Sequence, residues 1–276
     1  MAPPIALNRT LYVGFQGQEV AVIGDAPEVL AGLARIFSGM LVGEPARPIG
    51  RLEVDRDGGR YRVRGNTEID LEDGSLHDVL RCLRFSVIQL LIQARPDLLW
   101  LHAGAAARSE KAILFPGLRG RGKSTLVTRL CARGWAYLSD DIVPIDPASG
   151  AAIPFPQTPA IREHPGQEMG DEWLRAPNKV EVPLRQGAVC REPVRVAAVV
   201  FPAYSADAAT ELNPCSPATA AADLLRHCWN FSQHGETAVR LACALVSRVP
   251  CSRLSFRDGD DAAEYLDHRA TDRPPA

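Results

Sequence analysis

Lys111-Ala112-Ile113-Leu114-Phe115-Pro116-Gly117-Leu118-Arg119-Gly120-Arg121-Gly122-Lys123-Ser124-Thr125 is the stretch on which the reading of this 276-residue chain turns. Lys111 to Phe115 has the apolar run of a buried strand. From Lys123 on, Leu126, Val127, Leu130 and Cys131 recur at helical spacing. Between them stands Gly-x-x-x-x-Gly-Lys-Ser. Successive main-chain N–H groups in such a turn make a concave anion site, and a side chain at Gly117, Gly120 or Gly122 would hinder a phosphate's approach. The helix start adds outward amides and partial positive charge. Lys123 is spaced to reach β- and γ-phosphates and the Ser124 hydroxyl to ligate Mg²⁺, with Gly117 through Thr125 as the nucleotide-binding segment. Only three of the 31 basic residues are lysines. A lysine at 123 therefore reflects a need for a slim point charge where a planar guanidinium would not fit.

Working outward, Gly134 is a helix stop, Trp135 to Leu138 reads as the next strand, and Ser139-Asp140-Asp141 follows at its carboxyl end. That is where the ligand crevice of an open α/β sheet lies. One of Asp140 and Asp141 is the candidate to accept the proton of an attacking hydroxyl, and the other to hold Mg²⁺ directly or through water. Neighbouring side chains on a strand face opposite ways, so the two carboxylates have separate jobs. His102 closes the apolar strand Leu98–Ala103; it is either a phosphate or base contact or a satisfied core histidine, and position alone does not choose. Arg162, Glu163, His164 and Lys179 lie in later loops. Any of them is a candidate to complete the site, since a transferred phosphoryl group spreads its charge over three oxygens.

On either side of this core, the remaining elements sort into units. Residues 1–73 read as a small α/β unit. Its parts are strands near Leu11–Phe15 and Glu19–Ile23, a helix from Pro27 to about Met40, and a hairpin turning at Asp57-Gly58-Gly59. Residues 74–268 form the main domain. A helix runs from a Ser75 cap to Ala94, followed by the strands above. Proline- and glycine-rich loops come after Asp146, then a strand over Val194–Phe201. A helix from Ser216-Pro217 through Phe231, a second from Glu236 to Val249, a strand over Cys251–Phe256 and a short helix over Asp260–Leu266 complete it. Residues 269–276 read as a frayed tail.

With 31 basic and 33 acidic residues the net charge is −2 and no basic stripe is present, so a nucleic-acid partner has no electrostatic footing. The opening Met1-Ala-Pro-Pro-Ile-Ala-Leu-Asn-Arg9 lacks the charged and apolar regions of a signal peptide. The most apolar run, Phe85 to Leu101, is broken by Gln89, Gln93, Arg95, Pro96 and Asp97, so no membrane span is expected. Seven cysteines without a Cys-x-x-Cys pair read as reduced thiols in a cytoplasm. A homo-oligomer is compatible with this composition. Other nucleotide-loop classes lack their marks. Asn178-Lys179-Val180-Glu181 has Glu where guanine recognition needs Asp, and neither a Leu-Ser-Gly-Gly-Gln segment nor a His-Arg-Asp is present.

The order Leu101-His102-Ala103, then Gly117 to Ser124, then Arg133-Gly134-Trp135-Ala136-Tyr137-Leu138-Ser139-Asp140-Asp141 resembles the HPr kinase/phosphorylase superfamily. Pro154-Phe155-Pro156, Val199 to Tyr204 and Trp229-Asn230-Phe231 look more like its stand-alone HPr kinase-related kinases, some of which lie beside peptide-modifying genes. The resemblance covers roughly residues 76–268. It implies a P-loop α/β core akin to the nucleotide domain of phosphoenolpyruvate carboxykinase, with ATP and Mg²⁺ as cofactors. Lys123 and Ser124 would bind phosphate and metal, His102 and Asp140 would serve transfer to a hydroxyl, and Asp141 would support the metal. The family's Glu-Ile-Arg-Gly segment reads Ala160-Ile161-Arg162-Glu163 here, so the metal-supporting glutamate is missing at its usual place unless Glu163 substitutes. The expected activity is a serine kinase acting on a peptide or small protein, with a small-molecule hydroxyl kinase or a non-catalytic nucleotide switch as alternatives.

Overall fold

Alternation of apolar with polar residues, the period-two signature of half-buried strands, opens the described chain. The structure is a computed structural model that describes residues 9–65, 71–162, 179–182, 184–185 and 187–271. The fold is mixed α/β, in two compact units, Met1–Pro96 and Asp97–Ala276.

In the first unit, β1 (Thr10–Phe15), β2 (Gln18–Gly24), β3 (Gly50–Asp57), β4 (Arg60–Gly65) and β5 (Leu71–Gly74) form one sheet in that order. β2 and β3 are parallel, bridged by helix α1 (Pro27–Ile36), and the other neighbours are antiparallel. Gly58 and Gly59, both at positive φ, make the two-residue turn between β3 and β4 that the sequence signalled. Helix α2 (Leu76–Ala94) is opened by a reciprocal cap: Asp78 N–H donates to Ser75 Oγ at 3.2 Å, and Ser75 N–H donates to Asp78 Oδ2 at 3.1 Å. It packs on α1, β2, β4 and β5, burying Val79, Leu83, Val87 and Leu91. The unit boundary thus falls at Pro96, after this helix, whereas the sequence reading drew it after residue 73.

The second unit contains β6 (Leu99–Leu101), β7 (Ala103–Arg108), β8 (Lys111–Pro116), α3 (Lys123–Ala132), β9 (Ala136–Ser139), β10 (Val143–Ile145), β11 (Ala151–Ala152), β12 (Ala160–Arg162) and β13 (Lys179–Glu181). It continues with β14 (Val194–Tyr204), β15 (Glu211–Pro214), α4 (Pro217–Arg226), α5 (Phe231–His234), α6 (Glu236–Arg248), β16 (Cys251–Phe256) and α7 (Gly259–Thr271). The main sheet runs β6-β10-β11-β14-β8-β7-β9, with β16 joining β14 and β15 joining β16. β8, β14 and β16 are mutually parallel along this order, while β7 lies antiparallel to both β8 and β9.

Side-chain alternation divides the core between two faces. Ala106, Ile113, Phe115, Val200, Leu254 and Phe256 pack with α3 and α7, whereas Ala105, Leu114, Val199 and Phe201 pack with α4 and α6. Burying one large apolar side chain contributes roughly 1.5–3 kcal/mol. Two expectations need correction. The helix begun at Ser216 ends at Arg226 rather than Phe231, because residues 227–229 hydrogen bond across to 100–102. Residues 269–271, read as tail, continue α7, which is anchored by Asp267 accepting from Trp135 Nε1 at 2.6 Å and pairing with Arg108. Among the described residues no helix is long and apolar enough to cross a membrane.

Candidate functional site

β8, held between β7 and β14, delivers the chain to the loop 117–122, and α3 begins directly after it. Gly120 and Gly122 take positive φ (80° and 95°), whereas Gly117 does not. Gly122 stands at the helix cap with no side-chain cap bond, and the first turn carries no acidic residue. The first helical bond is Leu126 N–H to Gly122 O at 2.9 Å, so the amides ahead of it point out of the helix start toward the loop. A Cβ on Gly122 would stand 2.4 Å from Cζ of the fully buried Phe256, while one on Gly117 would meet nothing closer than 3.7 Å. Gly122→Ala is therefore expected to lower stability by roughly 2–4 kcal/mol, and Gly117→Ala by less than about 1 kcal/mol. Chemical denaturation of the two variants reads the difference; equal losses would contradict the assigned loop geometry.

Lys123 is only 5% exposed, and its ammonium is fully engaged. Nζ donates to Gly117 O at 2.8 Å, to Leu118 O at 3.0 Å and to His102 Nε2 at 3.0 Å. Because an ammonium only donates, Nε2 of His102 must be the unprotonated nitrogen. The Nδ1–H then faces Asp141, 3.1 Å from its main-chain oxygen and 3.3 Å from Oδ1. Burial, with the Lys123 charge adding to it and Asp141 opposing, pushes the His102 pKa down to about 4. His102 is neutral at pH 7 and links the lysine to the second aspartate. The same two influences, burial first and then Lys123, lower the pKa of half-buried His227.

A pH dependence follows. The folded pKa of His102 lies below its ordinary value near 6.5, so the unfolded chain binds the extra proton between pH 6.5 and 4. Stability from this group is full above pH 6.5 and is lost as pH falls toward 4, by up to about 3 kcal/mol. Melting of the ligand-free protein across pH 4–7 should show this slope, flattened in His102→Gln.

Asp140 and Asp141 follow β9 in a bend and turn to different partners. The bend is pinned by Ile142 N–H donating to Ser139 Oγ at 3.2 Å. Asp140 is buried, 6% exposed, and its Oδ1 lies 2.9 Å from the hydroxyl of the fully buried Tyr137, which also lies 2.8 Å from Gln157 O. Burial, then the Asp140 charge, raises the Tyr137 pKa well above its ordinary value, so the phenol remains protonated. Gly104 on β7 sits beneath this corner. A Cβ there would be 3.6 Å from both Asp140 Cα and Lys123 Cβ, so the first aspartate and the lysine flank one point.

The structure thus brings Lys123, His102 and Asp141 into direct contact and sets Asp140 beside them. Ser124 is half-buried in the first turn of α3; Thr125, next to it, packs its γ-methyl toward Gly259. Leu118, Arg119, Gly120 and Arg121 lie exposed along the loop, and Arg121 O accepts from Tyr204 N–H at 3.3 Å. Arg162 and Lys179 pair through the backbones of β12 and β13, whereas Glu163 and His164 lie outside the described residues. Among the described residues no group of three or more His, Cys, Asp or Glu side chains converges as a metal site.

Sequence reasoning missed Tyr137 as the Asp140 partner. In a straight strand residues three apart face opposite sides, and the Ser139 bend reverses that. It also gave no role to Trp229, whose ring stacks on His102 at 5.8 Å and 14°. No protein-family model matches the chain, and no curated protein matches it.

Proposed function

We propose that this chain is an ATP- and Mg²⁺-dependent kinase of the HPr kinase-like type, with a P-loop core, that phosphorylates a serine hydroxyl on a peptide or small protein in the cytoplasm. One observation supports this most: Lys123, at the start of a helix entered through a glycine loop, touches the neutral His102, which in turn touches Asp141. The residues suit the ligands. An uncapped helix start without acidic side chains favours phosphate, and Mg²⁺ needs only one or two protein ligands besides phosphate oxygens and water. Ser124 and Asp141 would hold the metal, whose charge would offset that of the phosphates.

The chain's own groups supply the rest. Loop amides and Lys123 stabilise charge on the transferred group. Asp140 takes the proton of the serine hydroxyl as its oxygen bonds to the γ-phosphorus and the bond to the β-phosphate oxygen breaks, leaving ADP. Tyr137 fixes the carboxylate for this step, and His102 orients Lys123 while staying neutral. Incubation with γ-labelled ATP, Mg²⁺ and serine peptides tests the reading. Label should appear on serine with the wild type and not with Lys123→Ala or Asp140→Asn. Equal incorporation by all three, or none by the wild type, overturns it.

A further inference from the structure

We propose that Trp229 is the acceptor-side docking residue of this site: its open indole face receives an apolar side chain next to the serine that is phosphorylated. This rests on the kinase reading above and names the class of acceptor it takes. Trp229 is 48% exposed, yet it is fixed in place. Its main-chain N–H donates to Trp100 O at 2.8 Å. The next residue, Asn230, is buried at 4% exposure; its Oδ1 accepts from Trp100 N–H at 3.0 Å and its Nδ2 donates to Leu98 O at 2.8 Å. A bridge between Leu101 and Cys228 and a bond from His102 N–H to His227 O at 2.7 Å complete the seam with β6. The main chain under Trp229 is thus tightly held with half the residue's surface in water, and indoles are prominent among side chains that anchor partners.

The position identifies which substrate it meets. Lys123 rises from α3 and turns its tip back to Leu118 O and to the Nε2 edge of His102, and the Trp229 ring stacks on that histidine. Amides at the loop and helix start serve the inner phosphates, and the lysine tip marks the outer one. Beyond the tip is where an acceptor must stand for transfer. Leu118, 60% exposed, borders the same tip through its own carbonyl. The exposed side chains near the lysine tip therefore include Leu118 of the loop and Trp229 of the 227–230 turn, with Arg119 and Arg121 further along the loop. A serine flanked by leucine, phenylalanine or a similar residue offers the indole an apolar partner, which a serine flanked by charges lacks.

Synthetic serine peptides with Leu, Phe, Asp or Lys beside the acceptor provide the test, with Mg·ATP binding measured by calorimetry on the same proteins. The wild type should favour the Leu and Phe peptides. Trp229→Ala should raise their KM by about tenfold, with kcat changed far less, and erase the preference, while Trp229→Phe keeps it. Mg·ATP affinity should stay within about twofold. A Trp229→Ala protein with unchanged peptide KM overturns the proposal. So does one whose main loss is in Mg·ATP affinity, which would place the adenine on the indole. A wild type that binds Mg·ATP but phosphorylates none of the peptides overturns both this inference and the peptide-kinase reading. Preference for charged flanks sinks only this one.

Discussion

Lys123→Ala is expected to reduce phosphoryl transfer by about a thousandfold and to weaken Mg·ATP binding, because it removes the buried ammonium bonded to the loop carbonyls. The side chain is 5% exposed and bonded to Gly117 O, Leu118 O and His102 Nε2. These contacts bring the ammonium from helix α3 back over the loop. Lys123→Arg should restore little, since a planar fork does not enter a slot shaped around a point charge with three donors. Single-turnover transfer and calorimetric titration of both variants are the checks. Near-normal transfer by Lys123→Ala would remove the assigned role of the loop.

Asp140→Asn should lose transfer by roughly a thousandfold while Mg·ATP affinity changes only a few-fold, the pattern of a missing proton acceptor. The substitution is nearly isosteric, and the amide oxygen retains a contact for the Tyr137 hydroxyl now 2.9 Å from Oδ1. The fold should therefore survive, which near-UV circular dichroism can verify. Asp141→Asn should differ in kind. Asp141 faces His102, so its loss should raise the Mg²⁺ requirement before it lowers transfer at saturating metal. If Asp140→Asn shows the metal effect and Asp141→Asn the proton effect, the two roles are exchanged.

Much of this arrangement could be read from residue order. Apolar runs marked β6, β8, β9, β14 and β16, and alternation marked β3 and β4. The Gly58-Gly59 turn was legible because only a residue tolerant of positive φ fits there, and Ser75 announced its helix through the Asp78 partner three residues on. The β7–β8 hairpin was harder. Its two-residue turn is Ser109-Glu110, both at positive φ without a glycine to mark it, so the antiparallel step beside the loop strand carried no signal. Nor could the end of α4 be read. Cys228 to Phe231 keeps an apolar pattern, but main-chain bonds from residues 100–102 draw it out of the helix, and propensity yields to tertiary hydrogen bonding. The contact of His102 with Lys123 is likewise long-range. A histidine at a strand end is satisfied or functional depending on what the sheet order places opposite it.

The triple engagement of Lys123 bears on which anions could compete for its ammonium. A lysine whose hydrogens already rest on its own loop and on His102 presents little reward to a lone passing anion such as sulfate or carbonate, which could replace one bond at a time at best. A polyphosphate brings several oxygens together and can exchange all three in one step. If the chain takes a nucleotide as proposed, its selection over background salts would be set in part by these three bonds, before any contact with the base.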